Sequence, residues 1–437
     1  MRYSLKVIHW RHCVSNIRKN LSYIYFEVED FHELPYIRTY FKSRKVYIVR
    51  TGLDIINKRW PKKLNGSRVG LVVHPASVDS KFNHAVDCFA GSARFMLKAL
   101  FGPQHGIRGE TQDNMIEWEG FKDKKTGLPV YSLYGKTRKP LAGMLQNIDV
   151  MVVDMQDVGA RYYTFIWTMD LCMQACHESV KSVVILDRPN PLGGNLSEGP
   201  VLDPAFASFV GLRPLPVRHG MTIAEIARYL RDVFYPSLDL HIIPMKEWER
   251  KMWFDKTRLP WFMPSPNMPT LDTAVVYPGM CLLEGTELSE GRGTTRPFEL
   301  FGAPYIDPDL VVKDLMLLKL PGVVFRPVYF QPTFHKFADQ LCGGAQIHVI
   351  NRKKYKSFKT GVAVIKTIHD RYNNTFEWKN PPYEYEETKM PVDILAGSDR
   401  LRIEIEDGRS VNHMENWWKE ECLAFNRKIR MNYLMYK

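Results

Sequence analysis

Apolar runs of strand length recur from residue 47 onward: RVGLVV at 68–73, FMLKALF at 95–101, PVYSL at 129–133, DVMVV at 149–153 and SVVIL at 182–186. Several lack the polar alternation of a half-exposed strand, the pattern expected where both faces are covered. Helical spacing takes over between them. Residues 161–178 are periodic, and Thr222 opens a T-x-x-E capping box that predicts a helix over 223–234. Strand and helix in alternation predict an α/β fold with a Rossmann-like parallel sheet, extended by one more strand in LHIIPM at 240–245.

The pattern then breaks. Proline and glycine crowd 259–269 and again 284–299, which reads as loop or linker. A second α/β pattern follows, with a helix predicted at 308–319, strands near 323–330 and 344–350, and a helix at 358–372. The expected organisation is a Rossmann-like catalytic domain over 47–270 and a smaller α/β domain over 271–437 that contributes to the cleft.

Charge sets the N-terminal segment apart. The whole chain carries a formal +12, but residues 1–65 hold 14 Lys and Arg against 5 Asp and Glu, leaving only +3 for the rest. Residues 1–46 therefore read as a basic extension, either a native arm or the product of a misplaced start site. Because the charge is neither evenly spread nor gathered on the fold, no nucleic-acid partner is expected. The extension lacks the apolar core of a secretory signal and no run is long enough to span a membrane, so a cytoplasmic location is expected. Seven scattered cysteines show no metal-ligand spacing, and neither a GxGxxG, a Walker A loop nor a GxSxG elbow follows a strand. No metal or other cofactor is expected.

Polar residues gather just past three of the predicted strands, in PQHGIRGE (103–110), DMQDVGARYY (154–163) and DRPNPLGG (187–194). Ligands of open α/β sheets bind outside the strand C-termini. This edge collects Gln104, His105, Arg108, Glu110, Asp154, Gln156, Asp157, Arg161, Tyr163, Asp187, Arg188 and Asn190. Helix capping and turn clamping explain such residues singly, but less easily together. A further cluster, EGTELSEGRGTTRPFE (284–299), sets Glu284, Glu287, Glu290, Arg292 and Thr294 among glycines. Carboxylates, guanidiniums and hydroxyls in one stretch suit a sugar and its hydrolysis.

Long blocks of the chain resemble a known family. RVGLVVHPASVD (68–79), DMQDVGARYYTF (154–165), LDRPNPLGG (186–194), EGPVLD (198–203), RHGMTIAE (218–225), PSPNMPT (264–270) and YPGMCLLEGTELSEGRGTTRPFE (277–299) are similar to the exo-β-N-acetylmuramidases of glycoside hydrolase family 171, earlier a bacterial domain of unknown function. The resemblance implies release of N-acetylmuramic acid from the non-reducing end of peptidoglycan fragments. It adds His219 and Asn267 to the substrate-binding candidates. The sugar's lactyl carboxylate needs a cation, for which Arg108, Arg161, Arg188 and Arg292 are the candidates.

One position departs from the resemblance. The family motif reads P-E-H-G where this chain has Pro103-Gln104-His105-Gly106, and an amide can be neither acid, base nor nucleophile. Replacement carboxylates are sought in Glu110, Glu117 and Glu119. If the substrate's acetamido group attacks internally, Glu198 or Glu110 is expected as general acid and Asp154 or Asp157 as the orienting carboxylate. The other reading is a sugar-binding relative that has lost the chemistry.

Overall fold

The computed structural model describes residues 48–112 and 116–437. The N-terminal extension expected at 1–46 lies outside the described residues. Seven strands form the main sheet: β1 (Arg68–Val73), β2 (Met96–Gly102), β3 (Phe121–Lys122), β4 (Pro129–Ser132), β5 (Val150–Asp154), β6 (Ser182–Leu186) and, after the short antiparallel pair β7 (Glu198–Val201) and β8 (Pro216–Arg218), β9 (Leu240–Ile243). Their order is β3-β4-β2-β1-β5-β6-β9, parallel throughout except at the edge pair β3–β4. The Rossmann-like α/β reading is thus met.

Alternate side chains of the central strands enter separate cores. Val69, Leu71 and Val73 of β1 pack with Leu100, Val152 and Val184 on one face, while Val72, Phe101, Met151 and Val153 belong to the opposite core. Both faces are buried, which explains why these strands read as continuous apolar runs. The helix predicted over 223–234 forms as Ile223–Phe234, with both halves of the Thr222/Glu225 capping box in place. The helix predicted from 161 begins only at Phe165. Residues before it are held as an irregular loop by Arg161, whose backbone N–H donates to Val217 O and whose side chain is wholly buried.

The smaller domain has a three-stranded antiparallel sheet, ordered β10 (Leu300–Ala303), β12 (Cys342–Val349), β11 (Val323–Phe330). Helices Leu271–Met280 and Ser357–Arg371 cross each other at backbone contact. A Cβ on Gly279 would fall 1.9 Å from Ser357 O, and one on Gly361 would fall 2.1 Å from Gly279 O, so neither position admits a side chain. This crossing fixes the start of the turn Cys281–Gly285, which carries Glu284 toward the main sheet.

Candidate active site

Parallel strands end together, so the loops that leave β2 and β5 emerge on either side of β1. The chain reverses its direction of winding between β1 and β5, the place where open sheets form a crevice. A small polar cavity of about 30 Å³ lies there. From the main sheet it receives Gln104 and His105 after β2, and Tyr162, Tyr163 and Thr164 after β5; the 265–268 loop adds Ser265, Asn267 and Met268. The smaller domain closes it with Tyr277, Glu284, Arg292, Phe298, Tyr383 and Glu384.

Two loops of the main sheet are locked by His74 at the end of β1. Its Nε2 accepts from Gln156 N (2.7 Å), which leaves the ring proton on Nδ1, facing Pro264 O at 3.1 Å. Burial holds its pKa down to about 3, so the ring stays neutral. His74 stacks edge-on against Phe165, Phe165 against Tyr163, Tyr163 against Tyr277 and Tyr277 against Phe298. The result is an aromatic wall that crosses from one domain to the other.

Facing that wall are two carboxyl groups in opposite electrostatic settings. Glu384 is 3% exposed; Tyr134 donates its hydroxyl to Oε2 (2.8 Å) and Gln104 Nε2 donates to Oε1 (3.4 Å). The Gln104 amide is held in turn by Thr164 Oγ1, which donates to its oxygen at 2.8 Å. Burial pushes the Glu384 carboxyl up to about 7, opposed by the Tyr134 bond and reinforced by the negative charge of Glu284. Glu384 and Tyr385 both sit in left-handed backbone, with φ of 45° and 67°. Neither residue type prefers that region.

Glu284 is equally buried but differently partnered. Arg292 Nη2 donates to Oε1 at 2.7 Å and Tyr383 donates its hydroxyl to Oε2 at 2.6 Å. Burial works against its ionisation, yet the guanidinium beside it outweighs that cost and its carboxyl lies below the usual carboxylate range. The cavity thus holds one carboxyl biased toward its acid form and one toward its charged form. That division of labour is what general acid catalysis beside a stabilising carboxylate requires.

The model of the exo-β-N-acetylmuramidase NamZ N-terminal domain matches residues 69–272, and that of the NamZ C-terminal domain matches 275–436. The chain belongs to the exo-β-N-acetylmuramidase NamZ family. It is 47% identical over 388 residues to the peptidoglycan β-N-acetylmuramidase NamZ of Bacillus subtilis (strain 168), covering 89% of this chain and 91% of that protein. Two crystal structures of DUF1343 family proteins from Bacteroides fragilis are also similar. One gives a TM-score of 0.80 at 33% identity over 89% of this chain and 99% of its own. The other gives 0.70 at 29%, over 90% and 99% respectively.

Of the residues expected from sequence, the NamZ fold brings Gln104, His105, Tyr163, Asn267, Glu284 and Arg292 to the cavity, with Glu290 directly behind Arg292. The four carboxylates expected to carry the proton chemistry do not line this cavity, and each has partners elsewhere. Glu198 accepts from Lys359 N (3.0 Å), capping helix Ser357–Arg371. Glu110 folds beneath its own loop and accepts from Arg108 N (2.9 Å), in space left by Gly106 at φ 81°, where a Cβ would meet the carboxylate. Asp154 is gripped by the fork of Arg188, at 2.5 and 2.7 Å. Asp157 accepts from Gly159 N (2.7 Å) and pairs with His219 (3.2 Å).

Other expected binding residues make contacts within the scaffold, away from this cavity. Arg161 donates to three carbonyls, those of Pro200, Leu215 and Leu395. Arg108 reaches Asp123 on the outside of the loop, and Glu117 faces Arg138. Gln156 donates to Pro189 O and Asn190 to Met221 O, tying neighbouring loops together. Asp187 receives Thr222 Oγ1, Ala224 N and the Tyr436 hydroxyl, and burial pushes its carboxyl up to about 7. Thr294 closes its own turn, donating to Gly291 O and accepting from Arg296 N. Sequence reasoning missed Glu384, Tyr383 and Tyr134, since nothing in PPYEYEE (381–387) distinguishes it from an acidic surface loop.

Proposed function

We infer that this chain is an exo-β-N-acetylmuramidase in which Glu384 is the general acid and Glu284 the stabilising carboxylate. The observation that carries the assignment is their pairing in one cavity with opposite protonation bias. Glu384 gives its proton to the glycosidic oxygen as the C1–O bond breaks. Positive charge then develops at the anomeric carbon, where the Glu284 carboxylate offsets it. Water adds to that carbon, and its proton returns to the carboxylate pair.

The substrate class follows from the family, a saccharide derived from peptidoglycan with N-acetylmuramic acid at its non-reducing end. Its lactyl carboxylate needs a fixed cation. Of the four arginines considered, Arg161, Arg188 and Arg108 are committed elsewhere, whereas Arg292 lines the cavity. Arg292 donates Nη2 to Glu284 and faces Glu290 through Nε as an ion pair, which leaves Nη1 for the lactyl group. The aromatic wall of Tyr163, Tyr277 and Phe298 suits the apolar face of the sugar ring.

Gln104 fits this reading as a support rather than a reactant. Its amide orients the Glu384 carboxyl, so an amide at this position does not remove the proton donor. The test is direct. Purified protein should release N-acetylmuramic acid from the disaccharide with N-acetylglucosamine, and Glu284→Gln and Glu384→Gln should each abolish that release. Absence of release by the wild-type chain would overturn the proposal.

A further inference from the structure

Behind Glu284 the smaller domain stacks buried charges of alternating sign. Arg292 lies between two carboxylates, bonded to Glu284 through Nη2 at 2.7 Å and facing Glu290 Oε1 through Nε at 3.2 Å. Glu290 is wholly buried; Lys336 Nζ meets its other oxygen, Oε2, at 3.1 Å, and His335 Nδ1 approaches the same Oε1 at 3.2 Å. Lys336 Nζ also donates to Leu283 O (2.9 Å) and Leu288 O (3.0 Å), so its three protons pin the segment on which Glu284 rides. Neither Lys336 nor Glu290 lines the cavity.

Two carboxylates sharing one guanidinium in a dry interior carry a surplus negative charge, and one of them is driven to take up a proton. A second cation removes that conflict. An imidazole supplies it only when protonated, whereas an ammonium carries a full charge. We propose that Lys336 is a positioning residue for the hydrolysis: from outside the cavity, through Glu290 and Arg292, it keeps Glu284 seated and ionised. The proposal rests on the reading of Glu284 as the catalytic carboxylate.

Among the described residues, several groups bear on the titration. Glu284 is faced by Arg292, Glu290 and Cys281 from its own segment, by Tyr277 from helix Leu271–Met280, by Tyr162 from the loop after β5, and by Tyr383 and Glu384 from the 381–387 loop. Glu290 is faced by Arg292, Glu284, Cys281, His335 and Lys336. Removing a cation from this set raises the pH at which Glu284 ionises, and removing an anion lowers it.

That sign difference is the test. The acid limb of kcat/KM against pH is measured on the disaccharide for the wild type, Lys336→Met, Glu290→Gln, Lys336→Arg and the double variant Lys336→Met/Glu290→Gln, each checked for folding by its melting curve. Lys336→Met should move the limb to higher pH by on the order of one unit, by the loss of a nearby charge at an effective dielectric of about 20. Glu290→Gln should move it to lower pH, Lys336→Arg should leave it in place, and the double variant should return toward the wild type. Loss of packing alone lowers the rate at every pH without opposed shifts. Limbs that stay fixed, or move together, overturn the proposal, and if Lys336→Met does not fold, Lys336→Gln takes its place with the same expected shift. Glu284→Gln separates the two claims: retained turnover there means the catalytic reading has failed, whereas lost turnover with unmoved limbs in the other variants means the role of Lys336 has failed.

Discussion

Replacing Glu384 by glutamine leaves the shape of the site almost unchanged. An amide can still accept the Tyr134 hydroxyl, which now lies 2.8 Å from Oε2, but it has no acidic proton to give. General acid catalysis contributes about 10²- to 10⁴-fold, or roughly 3–5 kcal/mol of barrier. The wild-type carboxyl is pushed up to about 7 by burial, so it is about nine-tenths protonated at pH 6 and about one-tenth at pH 8. Because the neutral form is the donor, wild-type kcat/KM falls as pH rises through about 7, and Glu384→Gln lacks that alkaline limb. The assay compares two substrates. An N-acetylmuramic acid nitrophenyl glycoside has a leaving group that departs without help, whereas the disaccharide must have its glycosidic oxygen protonated. The variant should lose the full 10²- to 10⁴-fold on the disaccharide and far less on the aryl glycoside. Equal losses on both substrates, or an alkaline limb that persists near pH 7 in the variant, would refute the assignment.

Three further outcomes are expected. Tyr134→Phe removes a donor that favours the charged form of Glu384, so the alkaline limb should move to higher pH in a rate profile on the disaccharide. Arg292→Lys replaces a fork with a single ammonium; preference for muramic acid over glucosamine aryl glycosides, which differ by the lactyl group, should narrow by about ten- to a hundredfold, the worth of one charge-assisted hydrogen bond. Arg188→Met strands the buried Asp154 carboxylate and should cost about 3–5 kcal/mol in urea unfolding, while the remaining folded protein keeps a near-native KM.

The main sheet was legible because its strands are buried on both faces and read as uninterrupted apolar runs. The cavity's location was legible for a related reason, since polar segments directly after such runs mark the strand C-termini. Roles within those segments were not. Asp154 and Asp157 look like catalytic carboxylates in the chain and Asp187 like a substrate ligand, yet their partners come through the fold: Arg188 lies 34 residues from Asp154, and Tyr436 lies 249 from Asp187. Glu384 was hidden for the converse reason. Its chemistry comes from Gln104 and Tyr134, 280 and 250 residues away, and its own surroundings in the chain are those of a solvated turn. The segment 284–299, by contrast, betrayed itself through acidic and basic residues set among apolar flanks.

The left-handed backbone at Glu384 and Tyr385 marks a place where activity and durability pull apart. Each such residue holds on the order of 1–3 kcal/mol of conformational strain, and Glu384 adds the burden of a buried carboxyl that must ionise above about pH 7. Glycine at 384 would relieve both. Selection for heat resistance alone, at alkaline pH, should therefore favour loss of this glutamate and yield a sturdier protein that no longer cuts its sugar. On the proposed assignment, the strain at Glu384 is retained because the proton donor sits there.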